Sequence, residues 1–270
     1  MPIRNKILVT GYKGYIGRNL IKYFKSKKIK FKQINLSNLS NRNVKNYSHL
    51  IHLKFFINNK KKNINKNIKD LKKILIYCKK NNLNLIFPST SSFKYIKKKR
   101  INNSINPYNY YALAKKNCED LILQFNKDKN LNYNILRIFN VYGGDINNKY
   151  YISKLIRLFK QAKKFSKIEI KYFKNTRDFI NIEDLFSLIT KVIKKKINGT
   201  FEVGSGKSIS IKSLAKKINK ISQKKINLIF SKPQISRFNS FSKSHIKKTI
   251  KHFNWKPNIN INRGLRKLIT

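Results

Sequence analysis

Short apolar runs alternate with segments of helical spacing over the first half of the chain. Residues 6–10, KILVT, form an apolar run that leads into glycines, and Ile16, Leu20 and Phe24 then recur at helical spacing. Runs buried on both faces are typical of parallel strands, and helices between them provide the crossovers. The pattern predicts an α/β fold with a doubly wound parallel sheet. Strands are predicted at 6–10, 29–36, 49–56, 83–92 and 131–144, and helices at 15–27, 67–82 and 109–127.

The rhythm changes after Gly144. The pattern predicts a helix at 151–162, an extended piece at 168–173, and a turn, short strand and helix within 176–195. A strand, a glycine turn and a helix are predicted within 199–221, and a short helix closes the chain. We therefore predict a first domain at 1–145, with a return segment at about 178–203, and a smaller α/β C-terminal lobe at 146–270.

Three glycines follow the first predicted strand at the spacing GxxGxxG. Gly11 permits a tight turn, Gly14 lets backbone approach a pyrophosphate, and Gly17 lets helix and strand pack closely. The N-terminus of the next helix supplies amide donors and the positive end of a dipole. A glycine-rich loop without a ligand is the alternative, but the context favours dinucleotide binding in a Rossmann-type domain. The predicted cofactor-binding residues are Gly11, Tyr12, Gly14, Tyr15, Ile16 and Gly17.

The end of the second predicted strand bears on the choice between NAD and NADP. An acidic residue there binds the ribose hydroxyls in NAD-binding domains. This chain has Asn35 near that place and no carboxylate, while Arg42 is placed to meet a 2′-phosphate or is ordinary surface. Either cofactor therefore stays open.

Hydroxyl side chains and a tyrosine–lysine pair follow in order. Residues 89–92, STSS, close a predicted strand, where ligands bind in such sheets. Tyr111 and Lys115 are four residues apart and share one helix face, where an ammonium lowers the pKa of a phenol. Tyr108 and Tyr110 are rivals, but neither has a lysine four residues on. A Ser-rich turn and a chance pair are the alternatives when each motif is taken singly.

Seven ordered blocks together resemble the extended branch of the short-chain dehydrogenase/reductase superfamily. That branch contains the nucleotide-sugar epimerases, dehydratases and 4-keto-sugar reductases. The blocks are ILVTGYKGYIGRNL, LIHLKFF, NIKDLKKILIYCKK, LRIFNVYGG, TRDFINIEDL, FEVGSGKSISIKSLA and NWKPNI, with Asn254 where the family has glycine. We expect six acidic residues to pair with arginines or cap helices: Asp178, Glu183, Asp184 and Glu202 in these blocks, and Glu119 and Asp120 in the helix of Tyr111 and Lys115.

The resemblance implies roles for individual residues. Tyr111 would be the acid/base residue, and Lys115 would hold the nicotinamide ribose and tune Tyr111. Thr90 would hydrogen-bond the reacting sugar oxygen, which makes Thr90, Tyr111 and Lys115 the catalytic set. The substrate-binding residues would be Ser91, Asn140 and Arg237, with the smaller lobe covering a nucleotide sugar. The cofactor would be NAD or NADP, and the family implies a homodimer through the helices at 67–80 and 109–126.

Departures from the family pattern reduce the number of reaction types that the resemblance implies. The 4,6-dehydratases have Asp and Glu where this chain has Ser91 and Ser92, which argues against water elimination. An epimerase or a 4-keto-reductase fits better. Three other classes stay open: a non-catalytic dinucleotide-binding regulator, a basic nucleic-acid-associating protein, and a steroid or flavonoid reductase of the extended branch.

Charge changes this interpretation little. The 270 residues include 63 Lys and Arg against 10 Asp and Glu, for a net charge of +53. The positive charge runs from end to end without a distinct basic arm. This distribution favours A+T-rich codon usage as the origin of the charge, rather than a nucleic-acid-binding surface, and any binding to nucleic acid is expected to be non-specific. The two cysteines lack metal-ligand or disulfide spacing, and no metal site is predicted. No apolar run predicts a membrane span or a signal peptide, and we expect a cytoplasmic protein.

Overall fold

The computed structural model describes most of the chain and divides it into two compact units. The described residues are 6–39, 44, 46–57, 60–92, 100–101, 104–105, 110–145, 150–231 and 241–269. The first unit comprises Met1–Ile138 and Ile189–Phe201, and the second comprises Phe139–Leu188 and Glu202–Thr270. The predicted domain boundaries, 1–145 with a return segment at about 178–203 and then 146–270, stay a prediction.

A six-stranded sheet forms the first unit, in the order β11-β7-β4-β3-β1-β2. From β2 to β7 the neighbouring strands pair in parallel, which confirms the predicted doubly wound sheet. The strands are β1 (Lys6–Thr10), β2 (Phe31–Gln33), β3 (Tyr47–His52), β4 (Asn84–Thr90), β7 (Tyr133–Ile138) and β11 (Gly199–Val203), beside a small β5–β6 pair (Arg100–Ile101 and Ser104–Ile105). The helices are α1 (Tyr15–Ser26), α2 (Lys62–Lys80) and α3 (Tyr110–Lys129), with a 3-10 turn at Leu36–Asn38.

Apolar side chains on both faces of the sheet account for these elements. Ile7, Leu8 and Val9 of β1 are fully buried, as the continuous apolar run predicts. Helices α2 and α3 bury Leu71 and Ile122 in the same core cluster and turn lysines to solvent. Helix α2 begins before the predicted residue 67, and its first turns already bury polar and apolar side chains.

The second unit contains a three-stranded sheet, β12-β10-β8, and a parallel pair, β13-β9. Its strands are β8 (Asn140–Tyr142), β9 (Lys167–Lys171), β10 (Thr176–Asn181), β12 (Ser208–Ser210) and β13 (Asn227–Ser231). Its helices are α4 (Tyr151–Gln161), α6 (Ile211–Ser222), α7 (Lys247–Phe253) and α8 (Ile261–Ile269), and α5 (Ile182–Lys194) has its residues up to Leu188 in this unit and the rest in the first. The side chains of α4, α6, α8 and β9 share one apolar core.

The predicted strand at 131–144 was wrong as a single element. The structure divides it into β7, which pairs with β4, and β8, which pairs with β10. At the break, the Phe139 backbone N–H donates to the Val203 carbonyl oxygen at 2.9 Å, so that this residue belongs to neither pairing.

Candidate active site

The glycine-rich turn after β1 is built by close backbone approaches. Gly11 has a φ of +66°, and a Cβ there would lie 2.2 Å from the Lys54 backbone nitrogen. A Cβ on Gly17 would lie 2.4 Å from the Gly11 carbonyl oxygen, whereas one on Gly14 would lie 3.3 Å from the same atom. The first and third glycines are therefore required by packing, and the second leaves space beside the turn.

The N-terminus of α1 fits an anionic ligand. Gly14 is the N-cap, no side chain caps the helix, and its first turn contains no acidic residue. Backbone amides and the dipole of a 12-residue helix therefore face this turn without a competing carboxylate. The Tyr12 hydroxyl lies 3.4 Å from Asn35 Oδ1, so the residues that follow β2 reach the turn. This donor set suits the pyrophosphate of a dinucleotide, while Arg42 lies outside the described residues.

The hydroxyl cluster at the end of β4 is buried. Ser89, Thr90 and Ser91 are each less than a tenth exposed. Thr90 Oγ1 lies 2.9 Å from Ser92 Oγ and accepts from the Ser92 backbone N–H at 3.1 Å. Ser89 Oγ is one of two buried side-chain polar atoms without a hydrogen-bond partner among the described residues. The strand end thus holds hydroxyl groups away from bulk water.

Tyr111 and Lys115 lie in the first two turns of α3, and both contact the ring of Phe55. The Lys115 ammonium lies 3.7 Å from the Phe55 ring centroid, and Tyr111 meets the same ring edge-on, with centroids 5.7 Å apart. Lys115 Nζ also donates to the Pro88 carbonyl oxygen at 2.6 Å and lies 4.4 Å from the Phe87 ring. The structure therefore brings the predicted pair together with the end of β4.

Burial dominates the electrostatics around Lys115. Burial lowers the pKa of Lys115 to about 7, although nearby Cys118 and Glu119 act to raise it. His52, at the end of β3, has its pKa lowered to about 3 by burial and by the charges of Lys115 and Lys54. Its Nδ1 pairs with Thr10 Oγ1 at 2.8 Å, so a neutral imidazole joins β1 to β3 beside the glycine turn.

A buried ion pair fixes α3 one turn beyond Lys115. Glu119 is 1% exposed, and Arg137 of β7 donates to its carboxylate through Nη2 at 2.6 Å and Nε at 3.0 Å. Fork-shaped Arg–carboxylate pairs fix orientation as well as distance. The expected pairing of a carboxylate with an arginine is confirmed here.

Sequence reasoning missed Phe55 and His52, because no local pattern marks which apolar strand end faces a helix formed later in the chain.

The remaining predicted residues lie elsewhere. Asn140 belongs to the second unit, where its Nδ2 donates to the Asp178 carbonyl oxygen at 2.9 Å. Arg237 lies outside the described residues. Cys78 and Cys118 are buried free thiols. The described part of the chain contains no cluster of His, Cys, Asp or Glu suited to a metal ion. Within that same part, no helix combines the length and apolarity needed to cross a bilayer.

Comparison with known families settles the class. Residues 48–204 match the family described as NAD dependent epimerase/dehydratase, which is more than half of the chain. The chain belongs to the NAD dependent epimerase/dehydratase family. A nicotinamide dinucleotide is therefore its cofactor class, and the chain is an enzyme of this family. The glycine turn that precedes the matched region fits that cofactor.

Individual members of the epimerase/dehydratase family and related structures are similar over most of the chain. GDP-6-deoxy-D-talose 4-dehydrogenase from Aggregatibacter actinomycetemcomitans is 25% identical over 254 residues, covering 83% of this chain and 82% of the relative. RMD from Pseudomonas aeruginosa, complexed with NADPH, superposes with a TM-score of 0.83 at 18% identity, covering 98% of this chain and 97% of that one. UDP-glucose 4-epimerase from Thermotoga maritima, with UDP-glucose, gives a TM-score of 0.80 at 18% identity and the same coverage. At these identities the two structures show a shared fold.

Proposed function

We propose that this protein oxidises or reduces a carbon of a nucleotide-diphosphate sugar by hydride transfer, as an epimerase or a 4-keto-reductase. The observation that carries the proposal is the placement of Tyr111 and Lys115 on one face of α3, against the strand end that bears Thr90. Such a constellation has a titratable proton donor beside a cation and buried hydroxyls. Membership of the epimerase/dehydratase family supports the substrate class.

Each residue of this set has a definite chemical task. Tyr111 takes the proton from the sugar hydroxyl during oxidation and returns it during reduction. The Lys115 charge stabilises the phenolate form of Tyr111, and its ammonium is a donor for the nicotinamide ribose. Thr90 and Ser91 orient the sugar oxygen, while Asn140 and Arg237 bind the remainder of the substrate. The bound nicotinamide supplies or accepts the hydride.

Ser91 and Ser92 favour simple redox chemistry over elimination. A dehydratase needs an acid and a base to remove water, and hydroxyl groups do not titrate near neutral pH. The similarity to a 4-dehydrogenase over 83% of this chain supports a reaction at one sugar carbon. An epimerase would reduce its keto intermediate on the opposite face, whereas a reductase would release product after one transfer.

A thermal-shift panel tests this substrate class. The protein is heated with NAD or NADP and with UDP-, GDP-, dTDP- and CDP-sugars, since a ligand that binds only the folded state raises the melting temperature. We expect one dinucleotide and one nucleotide-sugar class to stabilise the protein, and the same pair to support turnover. Stabilisation by dinucleotide alone, without turnover of any sugar, would instead identify the non-catalytic regulator.

We also propose a homodimer through the outer faces of α2 and α3. These helices carry exposed apolar side chains, Ile76 at 62% and Leu123 at 37% exposure. Exposed apolar groups on adjacent helices are typical of a covered surface. Sedimentation velocity should give the mass of two chains, and a single-chain mass at micromolar concentration would contradict the homodimer.

The free, buried cysteines are compatible with the proposed cytoplasmic location.

A further inference from the structure

The ring of Phe55 contacts both residues of the proposed acid/base pair. Lys115 Nζ approaches the ring face, 3.7 Å from its centroid. The Tyr111 ring packs against the same ring in a T-shaped arrangement, with an interplanar angle of 87°. One aromatic side chain therefore contacts the Lys115 ammonium and the Tyr111 ring, although it follows β3 and lies far from α3 in sequence.

Helix α2 holds the loop that carries Phe55. Asn67, which is buried, accepts from the Phe56 backbone N–H at 2.9 Å and donates to the Phe56 carbonyl oxygen at 3.2 Å. On the other side of Phe55, Lys54 forms an ion pair with Asp70 at 3.0 Å. The backbone is thus held directly after Phe55, and the side chain of the residue before it is tethered to α2.

A second ring and a backbone carbonyl oxygen also cover the Lys115 ammonium. The Phe87 ring lies 4.4 Å away, and the Pro88 carbonyl oxygen accepts from Nζ at 2.6 Å. An ammonium against two rings is attracted by their π faces but loses its hydration. Phe55 therefore acts on Lys115 in two opposed ways, by covering it and by offering it a π face.

The titratable and charged groups around Lys115 come from three elements. His52 and Lys54 approach from the end of β3, Cys118 and Glu119 lie on α3 itself, and the Glu119 charge is paired with an arginine of β7. Tyr111 completes the set through the shared ring. None of these groups replaces the cover that the Phe55 ring provides.

We propose that Phe55 is a positioning residue of the Tyr111–Lys115 pair: its ring closes one side of the Lys115 ammonium against water and packs against the Tyr111 ring. The significance of this cover for turnover rests on the proposed function, whereas the cover itself is a property of the folded chain. Two substitutions separate the effects of the ring. Phe55→Ala removes both the cover and the π face, whereas Phe55→Leu keeps an apolar cover without a π face.

Burial sets the direction expected for each variant. Burial lowers the pKa of Lys115 to about 7, so Phe55→Ala, which admits water, should raise it toward the ordinary value of 10.5. Phe55→Leu should leave the pKa near or below that of the wild type, because a π face favours the charged amine. If the cation is the form that assists Tyr111, turnover is lost above this pKa, and Phe55→Ala should extend turnover to higher pH.

Competitive acylation of lysines, followed by mass spectrometry of the peptides, measures these effects without turnover. Labelling of Lys115 is followed from about pH 6 to about pH 11 in wild type, Phe55→Ala, Phe55→Leu and Phe56→Ala. Phe56 is the matched control, since its ring lies beneath Lys54 and Lys66 and is 39% exposed. We expect Phe55→Ala alone to raise the midpoint of Lys115 labelling by at least about one pH unit, and to increase labelling above that midpoint, where the amine is neutral and no longer covered.

Identical Lys115 labelling in Phe55→Ala and Phe56→Ala would overturn the inference. Should Phe55→Ala not fold, Phe55→Leu decides: a midpoint raised by about one unit or more would contradict the predicted fall or constancy. The inference and the proposed function fail separately. A shifted midpoint in a protein that turns over no nucleotide sugar supports the Phe55 cover while removing its catalytic meaning, and an unshifted midpoint in an active enzyme refutes the cover alone.

Discussion

Replacing Asp178 by Asn should destabilise the second unit severely. Asp178 is fully buried, and its carboxylate joins the turn after β11 to the segment before α7. Oδ1 accepts from the Ser205 backbone N–H and hydroxyl, both at 2.7 Å. Oδ2 accepts from the Ser244 N–H at 3.0 Å, its hydroxyl at 2.5 Å and the Gly206 N–H at 3.1 Å. Five donors thus converge on one side chain.

The magnitude follows from the loss of one acceptor oxygen. The amide oxygen of Asn can keep the Ser205 contacts, but its NH2 group then faces the N–H and the hydroxyl of Ser244, which lose their acceptor, whereas the Gly206 N–H keeps the Ser244 hydroxyl oxygen at 3.0 Å. A buried donor left without an acceptor costs about 1–3 kcal/mol, so two cost about 2–6 kcal/mol. A Cβ on Gly204 would lie 2.9 Å from Oδ2, so the site is tightly filled and offers little room for a compensating water. At about 2 kcal/mol per molar urea, the midpoint should fall by roughly 1–3 M.

The single tryptophan provides the assay. Trp255 is buried in the second unit, and its Nε1 donates to Ser187 Oγ at 2.8 Å, so its fluorescence reports urea unfolding of that unit. Asp120→Asn is the matched control, because Asp120 is exposed and pairs with Lys116 on the surface of α3, where ion pairs contribute little. An Asp178→Asn midpoint indistinguishable from that of Asp120→Asn would refute the reasoning.

Two further predictions concern the first unit. Gly17→Ala places a methyl group 2.4 Å from the Gly11 carbonyl oxygen, and an overpacking cost of about 1–3 kcal/mol should weaken dinucleotide binding by about 5- to 150-fold. Gly14→Ala, whose methyl group would lie 3.3 Å from the same oxygen, should have less effect. Equal dissociation constants of the two variants by calorimetric titration would contradict this prediction. Burial raises the pKa of both Cys78 and Cys118, the latter to about 12. A disulfide reagent near pH 8 should therefore modify neither thiol until urea unfolds the chain. Rapid reaction of the folded protein with the reagent would contradict the burial of the two thiols.

Most of the first unit was predictable because its signals are local. The run at Lys6–Thr10, the glycines after it and the helical spacing of α1 are read within a few turns of chain. The second unit was less predictable. Strand β13 pairs in parallel with β9, far away in sequence, and its burial alternates only partially, while α7 is too short to show a period.

The candidate site was likewise predictable only in part from the sequence. The four-residue spacing of Tyr111 and Lys115 placed both against one ring, but that ring, Phe55, was not predicted because the contact joins two distant segments. Acidic residues in the motifs also differed from expectation in part. Glu119 pairs with an arginine as expected, whereas Asp184 accepts from the backbone of Asn258 and Ile259. The motifs predict that such carboxylates are ordered, but they do not predict which groups the carboxylates bind.

A single-turnover measurement on Tyr111→Phe tests the central claim most directly. The enzyme, loaded with its dinucleotide and mixed with the nucleotide sugar identified by thermal shift, is followed by nicotinamide absorbance. Tyr110→Phe is the matched control, since Tyr110 begins the same helix without a lysine four residues on. The account predicts that Tyr111→Phe binds both ligands normally and slows hydride transfer by about 10²–10⁴-fold, with Tyr110→Phe near wild type. Hydride transfer in Tyr111→Phe at the wild-type rate would contradict it.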